Sequence, residues 1–343
     1  MSSFLRPSVL AMKGYTPGEQ PQSGPIIKLN TNENPYPPSP KVFEAIQTAL
    51  TGERLRKYPD PMGRQFRETA APILGVPPDA ILIGNGSDEV LTLITRAIVP
   101  EGGILAAPTP SYLLYRTLAE QQGARYSEIP FHHWRLDPKD LPPETNLTFV
   151  PNPNSPTGTW FEPGELLHWP TPLVIDEAYV DFAEGHALPL IQKSDRILVT
   201  RSFSKSYSLA GIRFGLAVGN PELIAQLYKL KDSYNCDVLS QAAATAAIAD
   251  QAYLHTCVQR IRSTRKRMEK ELTQLGFQVI PSQANFVWCQ HQQQAAHPLY
   301  EQLKNRGILV RYMNYAGFGD GLRISVGLDE QIDLLLATLR QLV

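Results

Sequence analysis

The chain has 343 residues, of which 43% are hydrophobic and 19% charged, so it carries enough apolar material for more than one packed core. A formal net charge of −1 provides no basic footprint for nucleic acid, and no apolar run approaches the length of a membrane span. Cys236, Cys257 and Cys289 are too far apart to suggest a disulfide framework or a zinc site, the histidines show no metal spacing, and a cytoplasmic, reducing setting is expected.

Met1 to Gly24 has neither a secretory apolar core nor the Arg-rich character of a transit helix. Asn34 to Pro40 contains four prolines and reads as an extended arm leading into a helix at about 41–50. Ile81–Ile83 is an apolar run followed by Gly84-Asn85-Gly86-Ser87-Asp88-Glu89 and then by apolar residues from Val90 to Ile94, which reads as strand, glycine-rich turn and helix. Further short apolar runs follow at Ile104–Ala107, Leu147–Val150, Leu173–Ile175, Ile197–Thr200 and Gly215–Val218. Their alternation with helical patterns predicts an α/β fold, a mostly parallel central sheet flanked by helices.

After Asn220 the pattern changes. Leu254, Val258, Ile261, Met268, Leu272 and Leu275 recur at helical spacing and predict one long amphipathic helix. Its charged residues, Arg260, Arg262, Arg265, Lys266 and Arg267, read as a solvated face. Asn285–Trp288, Gly307–Arg311 and Leu322–Val326 then read as strands, and Gln292–Gln294 as a polar loop. The expected division is an N-terminal arm (1–40), a large domain (41–245) and a smaller α+β C-terminal domain (246–343).

Three segments carry chemistry. Ser202-Phe203-Ser204-Lys205, with Arg213 close behind, places a lysine among hydroxyls and a forked cation, a set suited to a phosphorylated aldehyde such as pyridoxal 5′-phosphate (PLP). Asp176 ends the Leu173–Ile175 run, where open α/β sheets bind ligands, and could keep a pyridine nitrogen protonated. Tyr179 lies three residues on. The Gly84–Glu89 turn could bind phosphate through helix N-terminal amides, and its glycine spacing fits neither a dinucleotide fingerprint nor a Walker loop. Taken singly, these are an exposed loop lysine, a strand-end cap and an ordinary helix N-terminus. Their combination favours a cofactor site.

With Leu29–Pro35, Tyr58-Pro59-Asp60, Pro153–Gly158 and Leu322–Gly327 added, nearly the whole chain resembles fold-type I PLP-dependent aminotransferases, in particular the histidinol-phosphate aminotransferase family. The resemblance implies that Lys205 bonds PLP and shuttles a proton, that Asp176 pairs with the pyridine nitrogen, and that Tyr179 binds the ring oxygen. It implies ring stacking by Tyr112 and phosphate binding by Ser87, Asp88, Ser202, Ser204 and Arg213. Tyr58 would reach the phosphate of a second subunit in a homodimer. Arg323, with Arg311 and Asn32 in the arm, would receive the substrate anion. The implied partners are histidinol phosphate and the 2-oxoglutarate/glutamate pair, in histidine biosynthesis.

The family has Asn immediately before Pro-Thr-Gly; here Ser155 holds that place and Asn154 precedes it, so either could contact the cofactor. An aminotransferase for aromatic or other amino acids would share the cofactor motifs, and so would a PLP-dependent decarboxylase of a phosphorylated amino acid. A non-catalytic PLP-binding regulator would call for a fused DNA-binding domain, for which the chain has no spare length.

Overall fold

Each apolar run between 81 and 218 forms a strand, because alternate side chains enter two separate hydrophobic layers. The computed structural model describes residues 4–12, 14, 18–20 and 26–343. The expectation for Met1 to Gly24 therefore falls partly outside the described residues. In chain order the strands are β1 (Ile27–Lys28), β2 (Ile81–Gly84), β3 (Ile104–Thr109), β4 (Arg125–Pro130), β5 (Leu147–Pro151), β6 (Leu173–Asp176), β7 (Ile197–Ser202), β8 (Gly215–Val218), β9 (Phe277–Ile280), β10 (Phe286–His291), β11 (Ile308–Leu309), β12 (Arg311–Tyr315) and β13 (Gly319–Ser325).

Seven strands form one sheet in the order β2-β8-β7-β6-β5-β3-β4. The pairs from β7 through β6, β5 and β3 to β4 are parallel, whereas β8 runs antiparallel to both β2 and β7. Ile81, Ile83, Ile175 and Val199 pack into one layer with Phe66, Phe203 and Phe214. Leu82, Val174 and Leu198 pack into the other with Val90, Leu105 and Phe149. Strands buried on both faces read as continuous apolar runs, and for that reason their positions were visible in the sequence.

Two sheet features were not. β4 is an edge strand with mostly partly exposed or exposed residues, and its polar sequence gives no apolar run. The reversal of β8 follows from a connection that holds the Lys205 loop and a short turn at Ala210–Ile212 in place of a crossover helix. The helix Val238–Ala249 also has no periodic trace in the sequence: it is alanine-rich and nearly uniform in hydrophobicity, so it has no polar stripe, and it buries Ala243, Ala244 and Ala247.

The C-terminal part contains an antiparallel sheet, β12-β13-β10-β9. The long helix is Gln251–Gln274, and its Leu254, Val258, Ile261, Met268 and Leu272 share a core with Leu299, Leu303, Ile332 and Leu336. Two expectations are corrected here. The run Gly307–Arg311 is not one strand: β11 pairs with β1 of the arm, and β12 begins after Val310 and pairs with β13. Nor is the basic face of the long helix wholly solvated. Arg265 is buried and donates to the carbonyls of Ala284 (2.7 Å) and Phe182 (3.4 Å), because this side of the helix packs against β10 and the turn Val180–Phe182 that follows β6. Arg267 pairs with Asp329 and Asp333.

The site depends on one close approach. Gly84 and Gly215 are register partners between β2 and β8, under the start of the helix Gly86–Ile98. A Cβ on Gly215 would lie 2.4 Å from the Ser87 nitrogen and 2.7 Å from the Gly86 carbonyl carbon, both backbone atoms that cannot swing aside. Gly215→Ala is therefore expected to displace that helix start and to cost about 1–3 kcal/mol in urea unfolding. Gly211→Ala, where no atom lies within 4 Å of the added carbon, is expected to stay within about 0.5 kcal/mol of the parent.

Candidate active site

The carboxyl ends of β5, β6 and β7 open into a cavity of about 320 Å³, within the size range of small-molecule sites. It is lined by Asp176, Tyr179, Lys205, Tyr112, Ser87, Asp88, Ser202, Ser204, Arg213, Asn32, Arg311 and Arg323, so most residues expected from the sequence meet in one place.

Lys205 lies in the loop after β7, three residues beyond Ser202. Its Nζ donates to the Thr31 carbonyl (3.1 Å) and stands 5.8 Å from the centre of the Tyr179 ring. Asp176, the last residue of β6, is buried, and that burial pushes its carboxyl up to about 6. Hydrogen bonds oppose the shift: Tyr115 donates to Oδ2 (2.8 Å), and Thr200 Oγ1 and the Ala178 N–H both donate to Oδ1 at 3.2 Å. The hydroxyl of Tyr179 accepts from Asn32 Nδ2 (2.9 Å).

At the other end of the cavity, Ser87 and Asp88 occupy the first turn of the helix Gly86–Ile98, whose unpaired amides and dipole favour an anion. Arg213 faces this turn, with Nη1 donating to Ser204 Oγ and Nη2 to Asp88 Oδ2, both at 3.4 Å. Gly86 has φ +80°, and a Cβ there would lie 2.6 Å from Arg213 Nη2. The glycine thus serves both the turn and the seat of the guanidinium. Tyr112 packs edge-on against Tyr115, with ring centres 5.6 Å apart.

The third side of the cavity comes from β12, β13 and the arm. Arg311 and Arg323 are direct cross-strand partners. Arg323 donates to the Asn30 carbonyl (3.0 Å) and to Ser155 Oγ (3.1 Å). Among the described residues neither arginine has a carboxylate within ion-pair distance. Like charges placed directly opposite repel, so this pair favours an anion between or beside them. Asn32 holds a left-handed backbone (φ 57°), secured by its bonds with Ser325 and Asn285.

Two expected residues are not brought in. Asn154 lies in the wall behind the cavity, where its amide donates to the Pro110 carbonyl (3.1 Å) and to Thr157 Oγ1 (2.8 Å); Ser155 lines the cavity instead. Tyr58 is outside its own chain's cavity, exposed and stacked on Tyr234 with ring centres 4.3 Å apart. Conversely, Tyr115, Thr200, Asn30 and Thr31 belong to the site and were not singled out. Asn30 and Thr31 lie within the Leu29–Pro35 motif, and Tyr115 stands three residues after Tyr112, just inside the helix that begins at Leu114; Thr200 is one more residue of an apolar strand run.

The residues present fit PLP. A buried carboxylate, a lysine and an anion-binding helix start share one cavity. Among the described residues, four that line the cavity have a buried polar atom without a hydrogen-bond partner: Asn30 Oδ1, Thr31 Oγ1, Ser111 Oγ and Arg323 Nε. Such groups cost free energy unless a polar ligand satisfies them.

A lysine beyond the last parallel strand, sharing a cavity with a strand-end aspartate and a helix N-terminus, is the arrangement of a PLP-type group-transfer enzyme. The chain belongs to the class I and II aminotransferases, whose family model matches residues 24–339. It is 52% identical to a histidinol-phosphate aminotransferase of Rhodopirellula baltica, covering 96% of this chain and 92% of that one. It is 47% identical to histidinol-phosphate aminotransferase 1 of a Nostoc species, over 100% of this chain and 99% of that one. Among solved structures, the Sinorhizobium meliloti histidinol-phosphate aminotransferase in complex with pyridoxal-5′-phosphate is similar, with a TM-score of 0.89 at 28% identity, covering 100% of this chain and 99% of that one.

From this geometry the opposed arginines are expected to trade stability for anion binding. Arg311→Gln is expected to leave unfolding free energy unchanged or raise it by up to about 0.5 kcal/mol, through relief of repulsion. The same variant is expected to lose most of the thermal stabilisation that an added dicarboxylate or phosphate monoester gives the parent. A variant both less stable and equally responsive would contradict this role.

Proposed function

We propose that the protein catalyses PLP-dependent transfer of the amino group of L-histidinol phosphate to 2-oxoglutarate, giving imidazole-acetol phosphate and L-glutamate, a step of histidine biosynthesis. The observation that carries this reading is one cavity holding Lys205, Asp176 and the opposed Arg311–Arg323 pair. Names shared by full-length relatives support the substrate assignment.

In this reading Lys205 holds the cofactor aldehyde, Asp176 its ring nitrogen and Tyr179 its ring oxygen. Ser202, Ser204, Arg213 and the amides of Ser87 and Asp88 hold its phosphate. When bound, the cofactor supplies an electron sink for the bond broken at the substrate carbon. Lys205 Nζ, as a free amine, would take the proton from that carbon and hand it on within the same site. Asp176 would pair there with a protonated ring nitrogen, and that positive charge would favour its ionised form and offset the effect of burial. Asn32 orients the Tyr179 hydroxyl through the 2.9 Å contact. Arg323 receives the carboxylate of glutamate or the phosphate of the first substrate, since its fork suits either anion. Arg311 and Asn32 complete that pocket. Ser155, rather than Asn154, takes the contact made by the residue before Pro-Thr-Gly.

The working form is a cytoplasmic homodimer in this proposal. Support comes from Tyr58, which is 79% exposed and outside its own cavity, as a residue serving a second subunit's phosphate site would be. No helix among the described residues is long and apolar enough to cross a membrane. The proposed boundaries remain an arm at 1–40, a large domain at 41–245 and a small domain at 246–343.

The test is a half-reaction on the purified holoenzyme. Low concentrations of L-histidinol phosphate are expected to bleach the visible band of bound PLP, and 2-oxoglutarate to restore it. A response mainly to L-phenylalanine or L-tyrosine would move the assignment to an aromatic aminotransferase. Release of carbon dioxide without need of a 2-oxo acid would move it to a decarboxylase. Lys205→Ala is expected to keep its circular dichroism and lose turnover by at least about 10³-fold; near-normal turnover would refute the lysine's role.

A further inference from the structure

We propose that Tyr115 is a positioning residue for Asp176, aiming the carboxylate oxygen that faces the ring nitrogen of the cofactor; the proposal rests on the reading of Asp176 given above. Tyr115 is completely buried in the first turns of the helix Leu114–Gln122. Its ring meets Tyr112 edge-on at 5.6 Å and tilts against Phe149 at 5.0 Å, so the hydroxyl has a single direction available. The surrounding layer is apolar, built from Leu91, Leu118, Phe149 and Val174. A phenylalanine would fill the same space without burying a hydroxyl, whose desolvation is unfavourable unless it is hydrogen-bonded. Among the described residues that hydroxyl has one recipient, Asp176 Oδ2, at 2.8 Å.

A count of acceptor sites gives the contact its purpose. An ionised carboxylate has about four, two on each oxygen. Thr200 Oγ1 and the Ala178 N–H both donate to Oδ1, and Tyr115 donates to Oδ2. The remaining acceptor site is on Oδ2, the oxygen that Tyr115 alone orients. Tyr115 therefore acts through Asp176 and need not touch the substrate.

The test uses pyridoxamine 5′-phosphate, which cannot bond to the lysine, and its 1-deaza analogue, in which a C–H replaces the ring nitrogen. Dissociation constants are measured by fluorescence titration of the full-length protein freed of its cofactor. The parent is expected to prefer the nitrogen-containing ligand. Tyr115→Phe is expected to weaken that ligand by roughly tenfold, the worth of one hydrogen bond to a charged group, and to change the analogue's affinity by less than about twofold. The retained affinity for the analogue also shows that the variant is folded. Equal losses for both ligands would make Tyr115 a packing residue and overturn the proposal, as would no loss for either. A parent that does not distinguish the two ligands would overturn the Asp176 reading, and this proposal with it.

Discussion

Burying a carboxylate at the end of a parallel strand is unfavourable, and the large sheet is arranged around that cost. Asp176 lies where β6 leaves the sheet, out of reach of bulk water, and its surroundings disfavour its charge. Three donors from three different elements answer it: the helix after β3 through Tyr115, β7 through Thr200, and the turn after β6 through Ala178. Parallel register brings these elements together, since Asp176 and Thr200 are partners between β6 and β7. The end of β7 also delivers Ser202, Ser204 and Lys205 to the cavity. One topological feature thus places both the charge and its compensation.

The arm acts as mortar between the sheet and the C-terminal part. Asn30 and Thr31 offer carbonyls to Arg323 and Lys205, and Asn34 donates to the carbonyls of Lys205 and Ser206. Asn32 is locked by Asn285 and Ser325 from one side and contacts Tyr179 on the other. β1 fastens the arm to β11. Arg265 adds a second tie, from the long helix to Phe182 beyond β6. The cation pair on β12 and β13 therefore stands at a set position relative to a lysine far away in sequence. Repulsion between like charges is retained in a place where an anion would relieve it.

The sequence by itself determined the layers and the chemical endowment. Doubly buried strands must be apolar throughout, and a long helix on a core must repeat every three or four residues; both patterns are local and were readable. Lys205, Asp176, Arg213 and the Gly84–Glu89 turn were readable for a similar reason, because each sits in a short motif whose residue types already suggest its partner. Only the tertiary structure decided the rest. Whether Asn154 or Ser155 enters the cavity depends on the Pro110 carbonyl and the Thr157 hydroxyl that capture the asparagine amide. Whether Arg265 is solvated depends on carbonyls from distant segments. The direction of β8 depends on a connection that carries the lysine loop instead of a helix, and the place of Tyr115 depends on which strand end lies beneath its helix. Hydrogen bonds and like-charge contacts between distant segments leave no periodic trace in a chain, so these features exist only once the fold has brought the groups together.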